Sequence, residues 1–493
     1  SARSDYANLE LSGNRGGGTI TFPSGTVALS LAFLLNASNV TYAHTDSTST
    51  IEFNNASNQQ TIPAFNYNNL TSSGGGGRTL ASSGIVGIAG VFTPGTNVYT
   101  ISTSTFEYNG TSAQSMPSTR GFTYYNLSIN NAAGVAAPDT GQTVVVNNTL
   151  FLKSGALAPD NTASLHLANN ATIDRSSGSI SAAPTFDGNI NVSYTGAAAV
   201  NSGAEIPTVS STLTNLTINK AGGVTLTTNA QANGTLTLTS GIVTTGANVL
   251  TLGSSATSTG ASNSSFVNGF LKRIYAATGS FKFDVGSVHY TPVTIDVTAG
   301  TGDVTTRAFH GFHPRIGVTS TALQHYWNLT NSGITAANMT FQYPTTDVNG
   351  NEALYVGYKI NGSTVTNPPA VLDNSDPNNH TETVALQTPE GDWTFAQAAT
   401  PTAVQLTSFK ATSYGDGVEL NWESGFEVDN LGYQLYREEN GQRTPVTPSV
   451  VAGSALTVGP GKRMTAGYSY AWFDPQGTAN SAYVLESIDL DGS

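Results

Sequence analysis

Cysteine is absent from the 493-residue chain, and lysine and arginine are scarce. Without thiols, neither disulfide bonds nor cysteine metal sites can stabilise the fold, so strand pairing and buried apolar side chains must do so. There are 18 basic residues against 31 acidic ones, a net charge of −13, and no basic cluster occurs. We therefore expect no binding to the phosphate backbone of nucleic acids.

The chain also lacks a long hydrophobic run. A membrane-spanning helix needs about 20 mostly apolar residues, and the longest candidate, residues 27–35, is shorter and is interrupted by Ser30. We expect no membrane span. The first residue is not Met, which is typical of a chain whose signal peptide has been removed, and we expect a secreted protein that is extracellular or on the cell surface.

Glycine, serine, threonine and asparagine are abundant, and they separate short alternating strands. Hydrophobic residues still reach 38% and charged residues only 10%, a composition that argues against disorder. In residues 191–252, the strands at 216–218, 224–226, 236–238 and 249–252 place apolar residues on one face and threonines on the other. The sequence therefore predicts an all-β protein.

An imperfect internal repeat covers residues 1–262, with units near 1–50, 51–104, 105–190 and 191–262. Each unit has a strand ending in Asn or Gly, a link with Gln or Ala, a strand with Pro, an Asn-Leu strand and a Gly-rich turn. One such unit cannot bury its apolar face alone, so neighbouring units must stack. Leu216 and Leu236 are about one β-helix turn apart. We favour a β-helix-like stack, with serial β-sandwiches as the alternative.

The remaining chain divides into two further parts. Residues 263–398 have longer strands and more aromatic residues, which indicates a β-sandwich-like domain. We expect a linker at 399–403, around Pro401, and a last domain at 404–493.

The last domain carries a series of motifs in order: LTSF (406–409), LNW (420–422), EVDNLGY (427–433), YRE (436–438), YAWFD (470–474) and YVLESIDLDG (483–492). This series resembles the fibronectin type III-like module of bacterial secreted surface proteins. Upstream, NLTIN with GTLTLTSG and FVNGFLKR with GSFKFDVG are similar to repeats of cell-surface and adhesin-like proteins. The resemblance implies an extracellular, non-catalytic, β-rich protein, and it identifies no ligand.

Both ends of the chain are expected to expose a strand edge. A fibronectin type III-like module would continue into one more strand after residues 489–492. The first repeat unit starts at the Asn8-Leu9 strand and lacks the preceding F-x-Y-N-G-type strand that units two and three carry. Unpaired edges are templates for pairing with another chain. We expect strand complementation between copies, with these interface residues: Tyr6, Leu9, Leu11, Tyr483, Leu485, Ile488 and Leu490.

The leading functional hypothesis is a structural subunit of an extracellular bacterial filament or surface layer that forms a homopolymer head to tail. The alternative is a cell-surface adhesin or carbohydrate-binding protein, in which aromatic residues would contact surface glycans; the candidates are Tyr275, Tyr290, Tyr326 and Trp327. A fragment of a secreted hydrolase is a third hypothesis.

We expect no enzyme activity, no cofactor and no metal site. Hydrolase and phosphate-loop motifs are absent. His289, His310, His313 and His325 could bind a metal only with a third ligand such as Asp303, and histidines lying on a sheet are the simpler interpretation. Asp284, Asp296 and Asp303 could supply paired carboxylates, and the acidic runs 347–352 and 489–492 weakly resemble calcium loops. Turn chemistry explains those runs more simply.

Asn-x-Ser/Thr sequences make the chain a candidate glycoprotein. The sites named for glycosylation are Asn36, Asn69, Asn126, Asn215, Asn233 and Asn328. Several belong to the Asn-Leu-Thr strand motif, for which a structural role is the alternative.

Overall fold

The computed structural model describes residues 5–138, 141–159, 164–316, 319–362, 364–397, 404–427, 430–439, 442–458 and 468–489. Strands account for 61% of the structure and helices for 3%, so the predicted all-β fold is confirmed. The chain forms two compact units. The first extends to residue 395 apart from 354–356, and the second comprises 354–356 and the residues from 396 onward.

Parallel strands of the first unit form a β-solenoid of about 12 turns. The strands are β1 (Asp5–Asn14), β2 (Thr19–Phe22), β3 (Thr26–Ser38), β4 (Thr41–His44), β5 (Thr50–Phe53), β6 (Gln60–Ile62), β7 (Asn66–Tyr67), β8 (Asn69–Ser72), β9 (Arg78–Leu80), β10 (Ile85–Ile88), β11 (Phe92–Thr93), β12 (Tyr99–Thr100), β13 (Thr105–Tyr108), β14 (Gln114–Ser115), β15 (Phe122–Asn130), β16 (Val135–Ala136), β17 (Val144–Ser154), β18 (Ala156–Ala158), β19 (Leu165–Leu167), β20 (Thr172–Arg175), β21 (Ser179–Ile180), β22 (Thr185–Phe186), β23 (Ile190–Gly196), β24 (Val200–Asn201), β25 (Leu213–Lys220), β26 (Val224–Thr225), β27 (Ala230–Ala232), β28 (Thr235–Ser240), β29 (Val243–Leu252) and β30 (Thr257–Thr259).

The register between strands defines the solenoid coil. Leu216 of β25 is the direct partner of Leu236 of β28, so these residues lie one turn apart as predicted. Ile51, Leu70 and Phe92 are likewise successive partners, each about 20 residues beyond the last. All five side chains are buried, which gives the solenoid one continuous apolar core. Each repeat unit predicted from the sequence therefore holds more than one coil.

Asparagines at the coil corners explain the Asn-Leu motif. The Oδ1 of Asn215 accepts a hydrogen bond from the backbone N–H of Thr235, one coil further on, at 2.8 Å. Asn69 accepts from Val91 in the same way at 2.8 Å. Backbone groups at corners have no ladder partner, so a short amide side chain is needed to satisfy them. The motif therefore has a structural role between coils.

Glutamines in the links of the repeat point into the solenoid. Gln60 and Gln114 are both buried. The Nε2 of Gln114 donates to the carbonyl of Ile88 at 2.9 Å, and that of Gln60 donates to the carbonyl of Leu29 at 2.7 Å. These bonds reach back to an earlier coil and satisfy buried carbonyl groups.

Longer antiparallel strands complete the first unit. They are β31 (Val267–Tyr275), β32 (Gly279–Phe283), β33 (Val293–His310), β34 (His325–Pro344), β35 (Tyr355–Asn361), β36 (Thr364–Thr366), β37 (Ala370–Asp373), β38 (Asn379–Gln387) and β39 (Gly391–Gln397), with 3-10 helices at Thr319–Thr321, Thr345–Asp347 and Glu352–Leu354. β31 pairs in parallel with β29 and antiparallel with β33, so one sheet contains strands from both sides of the boundary predicted at residues 262 and 263. The boundary predicted there is a change of strand direction within a continuous sheet.

The second unit consists of two antiparallel sheets. Its elements are β40 (Val404–Tyr414), β41 (Gly417–Glu427), β42 (Asn430–Glu439), β43 (Gln442–Pro445), β44 (Val451–Ala452), β45 (Tyr468–Asp474), β46 (Ala482–Asp489) and the short helix α1 (Ser454–Val458). One sheet has the order β40-β41-β45, and in the other β42 pairs with β43, β44 and β46. The predicted linker at 399–403 lies outside the described residues. None of the helices in the described part of the chain is long and apolar enough to cross a membrane.

A buried carboxylate organises the second unit. Glu427, the first residue of the EVDNLGY motif, is fully buried and accepts hydrogen bonds from Ser424 at 2.5 Å, Tyr433 at 2.9 Å and Tyr470 at 2.8 Å. Burial alone would raise the pKa of Glu427, but the hydrogen bonds outweigh it and hold the pKa below its ordinary value. This motif therefore joins the two sheets through one charged group.

Candidate functional site

The first strand of the solenoid has one unpaired edge. β1 lies at the end of a five-stranded sheet and pairs in parallel with β3, from Asp5 opposite Ala28 to Asn14 opposite Ser38. In residues 5–138, 141–159 and the later described ranges, no strand pairs with its other side. Asn8 accepts the N–H of Ala32 at 3.1 Å, the same corner contact that other coils make. β1 is thus part of the first coil and leaves its outer backbone groups open.

The side chains of β1 explain how this strand is held. Tyr6, Leu9 and Leu11 are half-buried, while the residues between them are exposed. The alternation shifts at a bulge between Tyr6 and Asn8. These three residues, which were predicted to lie at the interface, therefore help to hold β1 on its own solenoid. The part of β1 that remains available for another strand is the outer row of its backbone N–H and C=O groups.

A second unpaired edge belongs to β46 in the second unit. β46 pairs antiparallel with β42, and within the described residues no strand lies on its other side. Tyr483 and Leu485 pack against the core of their own unit, and the hydroxyl of Tyr483 donates to Asp474 at 2.9 Å. Ile488 is half-buried, and Leu490 lies outside the described residues. Here too the exposed feature is the strand edge.

The candidate glycosylation sites are engaged in hydrogen bonds. Asn69, Asn126, Asn215 and Asn233 donate from Nδ2 to oxygens of neighbouring coils, at 2.8, 3.4, 2.8 and 2.7 Å. Asn36 donates to Glu10 at 2.9 Å, and Asn328 donates to Asp392 at 2.6 Å. A glycan would be attached through this same nitrogen. The structural role of the motif therefore competes with glycosylation.

The structure brings two histidines and an aspartate together. His289 lies between β32 and β33, His310 ends β33, and Asp347 ends the 3-10 helix Thr345–Asp347. Their ligand atoms all lie within 4.8 Å of one another, with His310 Nε2 3.7 Å from Asp347 Oδ1. Asp303, the third ligand considered from the sequence, instead pairs with Lys272 at 3.0 Å. The sequence placed Asp347 only in the acidic run 347–352 and not with the histidines, because β34 separates it from His310 along the chain.

A third histidine contacts the same aspartate from the buried side. His325 is fully buried, its Nε2 is 2.8 Å from Thr291 Oγ1, and its Nδ1 is 3.3 Å from Asp347 Oδ2. Burial lowers the pKa of His325, Asp347 opposes this, and His310 and His289 reinforce it. By contrast, His313 pairs with Asp392 at 3.1 Å. Three of the four histidines considered from the sequence are thus grouped.

The carboxylates considered from the sequence as a catalytic pair do not contact one another. Asp284 accepts hydrogen bonds from Ser258 and Tyr290, whereas Asp296 contacts Asn338, so each carboxylate has its own partner. At the end of the acidic run 347–352, Glu352 pairs with His380 at 2.6 Å.

Two of the four aromatic residues proposed to contact surface glycans are buried. Trp327 is fully buried, and Tyr275 is only 5% exposed. Sugar binding needs open ring faces, which these two residues lack.

No protein-family model, curated protein or solved structure matches this chain.

Proposed function

We propose that this protein is a structural subunit of an extracellular bacterial filament or surface layer, in which copies join head to tail by β-strand addition. The outer edge of β1 in one copy would pair with the outer edge of β46 in the next. The observation that carries this proposal is the edge of β1 that pairs with no other strand among the described residues of the chain. An extracellular location is supported by the absence of cysteine and the low charge content.

The end of the solenoid next to β1 is suited to contact. A strand at the edge of a sheet presents a row of backbone N–H and C=O groups to which another strand can pair. Here β1 offers ten residues of edge, and the neighbouring β3 exposes two large apolar side chains, Leu31 at 47% and Leu34 at 42%. An open edge beside exposed leucines is a site for adding another strand.

β46 is a suitable partner because its apolar side chains already pack against the core of its own unit. Tyr483 and Leu485 pack inward, so a new strand would bind mainly through the backbone N–H and C=O groups of β46. Its eight residues are similar in length to β1. The two edges are different surfaces, so their pairing is heterologous. Such contacts need not close into a ring and can continue as a filament.

Engineered cysteines test this pairing directly, because the natural chain has none. Ser12→Cys places a single thiol on the exposed part of β1, and Ser487→Cys places one on the exposed part of β46. When the two variants are mixed and treated with a short thiol cross-linker, we expect a covalent dimer that contains one copy of each. Ser413→Cys, on the exposed edge strand β40, is the matched control.

The outcomes separate the alternatives. A heterodimer of Ser12→Cys with Ser487→Cys supports the proposal. Cross-linking of Ser12→Cys to itself or to Ser413→Cys would contradict the assignment of β46. Electron microscopy of the unmodified protein should show regular fibres or sheets; monomers that bind glycans would instead favour the adhesin alternative.

Proline substitutions test the role of the β1 backbone. Successive N–H groups of a strand point to opposite sides, so Leu9→Pro and Glu10→Pro remove donors on the two different edges. We expect one of the two variants to lose assembly while its thermal unfolding stays close to that of the unmodified protein. Normal assembly of both variants would contradict the proposal.

A further inference from the structure

We propose that His289, His310 and Asp347 form a binding site for one divalent transition-metal ion, such as zinc, with at least one coordination position left for water or another ligand. This inference is independent of the proposed filament function. It also differs from the expectation, drawn from the sequence, that the histidines only lie on a sheet.

Geometry is the first argument for this site. Two ligands of one tetrahedral zinc ion, each about 2.1 Å from the metal, lie roughly 3.4 Å apart. His310 Nε2 and Asp347 Oδ1 are 3.7 Å apart, and the ligand atoms of all three residues lie within 4.8 Å of one another. Small side-chain rotations are therefore sufficient to place all three around one ion.

Hydrogen bonds to the backbone hold the segments of all three ligands in position. The Oγ of Ser287 accepts the backbone N–H of His310 at 3.2 Å, and the N–H of Ser287 donates to the carbonyl of His289 at 3.2 Å. The carbonyl of Asp347 accepts the N–H of Gln324 at 2.8 Å. The three segments that supply the ligands are thus fixed by hydrogen bonds outside the site, as a preorganised site requires.

The charge environment of Asp347 is the second, independent argument. The side chain of Asp347 is 3% exposed and that of His325 is fully buried, and in the described part of the chain Asp347 Oδ2 and His325 Nδ1 lie 3.3 Å apart without an aligned hydrogen bond. Buried carboxylates without a counter-charge are costly. In the described residues, Asp347 has only histidines within ion-pair distance and no lysine or arginine. A bound cation would supply the missing positive charge.

The ligand set indicates the class of metal. Two imidazoles with one carboxylate suit zinc and similar transition metals, whereas calcium and magnesium prefer oxygen ligands alone. The His310 side chain is 28% exposed, so an ion has a path from solvent. His325, behind Asp347, is placed to orient the carboxylate.

Titration of the full-length, chelator-treated protein with Zn²⁺ and with Co²⁺ tests the site. We expect saturable binding of one ion per chain by calorimetry, and visible absorption bands from the cobalt complex. His310→Ala alters a part-exposed side chain and should lower affinity for Zn²⁺ at least about tenfold. Asp347→Asn keeps the side-chain shape, removes the charge, and should lower affinity by a similar factor.

A matched control is available on the solenoid. His166 and Asp187 form a solvent-exposed pair at 2.8 Å, so His166→Gln removes one histidine next to a carboxylate without touching the proposed site. This variant should bind Zn²⁺ as the unmodified protein does, and circular dichroism should show that all variants are folded. Absence of one-ion binding, unchanged Zn²⁺ affinity in both site variants, or an equal loss of affinity in His166→Gln would overturn the proposal.

Discussion

Glu382 is a buried carboxyl group whose protonation state should control part of the stability of the first unit. It lies in β38, is 1% exposed, and neither of its side-chain oxygens has a hydrogen-bond partner in the described residues. Burial, followed by repulsion from Glu352, raises its pKa from 4.5 to about 8. The folded protein therefore holds this carboxyl neutral near neutral pH, where an unfolded chain would have it charged.

The sign of the pH dependence follows from this shift. Between about pH 4.5 and pH 8 the folded state keeps a proton that the unfolded state has lost, so the free energy of unfolding should fall as pH rises, by up to about 1.4 kcal/mol per pH unit. Glu382→Gln is neutral at every pH and should remove this slope, leaving the variant more stable than the natural protein at pH 8. Urea unfolding from pH 5 to pH 9, followed by tryptophan fluorescence, measures both slopes.

Glu390→Gln is the control for this prediction. Glu390 is 43% exposed and lies 3.4 Å from Lys359, so its replacement should leave the pH slope nearly unchanged. If Glu382→Gln kept the slope of the natural protein, the assignment of that slope to Glu382 would be wrong.

At the scale of elements, the turns of the solenoid depend on glycine where coils touch. Gly155, between β17 and β18, has φ +73°, and a Cβ on it would overlap the carbonyl oxygen of Asn131. That carbonyl is held by the N–H of Gly134 at 2.9 Å, so it cannot move away freely. Only a residue without a side chain fits both the backbone angle and the contact between coils.

Gly155→Ala should therefore destabilise the solenoid by more than the cost of the backbone angle alone. Gly246 has φ +60° with no atom within 4 Å of its Cβ position, so Gly246→Ala should cost only about 1–2 kcal/mol. We expect Gly155→Ala to cost at least about 2 kcal/mol more, because the coils must separate. Comparison of the two urea midpoints checks this, and equal losses would contradict the role of coil contact.

The stacking of repeated units was largely predictable, since the apolar core residues repeat in the sequence. Leu216 and Leu236 are one turn apart because the coil length sets their spacing, and their pairing was expected from that spacing. The function of Gln60, Gln114 and the corner asparagines was not predictable, because it depends on which backbone groups of another coil they reach. The asparagines looked equally like glycosylation sites until their partners were known.

For the whole molecule, net charge should control self-assembly. The chain carries a net charge of −13, and acidic residues lie on both proposed edges, Asp5 and Glu10 on β1 and Glu486 on β46. Copies that approach one another therefore repel, and salt screens this repulsion because the Debye length falls from about 30 Å at 0.01 M to about 8 Å at 0.15 M.

If the proposed function is right, assembly should increase as salt rises from about 10 to 150 mM. Light scattering and electron microscopy measure this. Glu10→Gln retains an acceptor for Asn36 and removes one charge, so it should weaken the salt dependence. Assembly that decreases with salt would contradict a contact between two acidic edges and would indicate a basic partner surface.

The sequence by itself determined the properties that repeat or add up along the chain. Alternating strands, the coil spacing, the lack of cysteine and the negative charge are local or summed quantities, and they predict an all-β protein with stacked coils. Periodicity did not decide between a solenoid and serial sandwiches, because both bury one face of short strands. The parallel register decided it, and register depends on which strands meet in three dimensions.

Only the tertiary structure decided which groups share a site. Antiparallel pairing of β33 with β34 places His310 beside His325 at one end of the pair, and the start of β33 beside the end of β34 at the other. Register shifts between Val297 and Asp303 divide this pair into two segments, and the outer ends of the two segments meet where His289, His310 and Asp347 converge. Likewise, β1 is seen to be one coil of the solenoid with a single free edge, a fact that no pattern within residues 5–14 contains. Convergence of distant residues is set by strand pairing and packing, and a linear pattern does not record it.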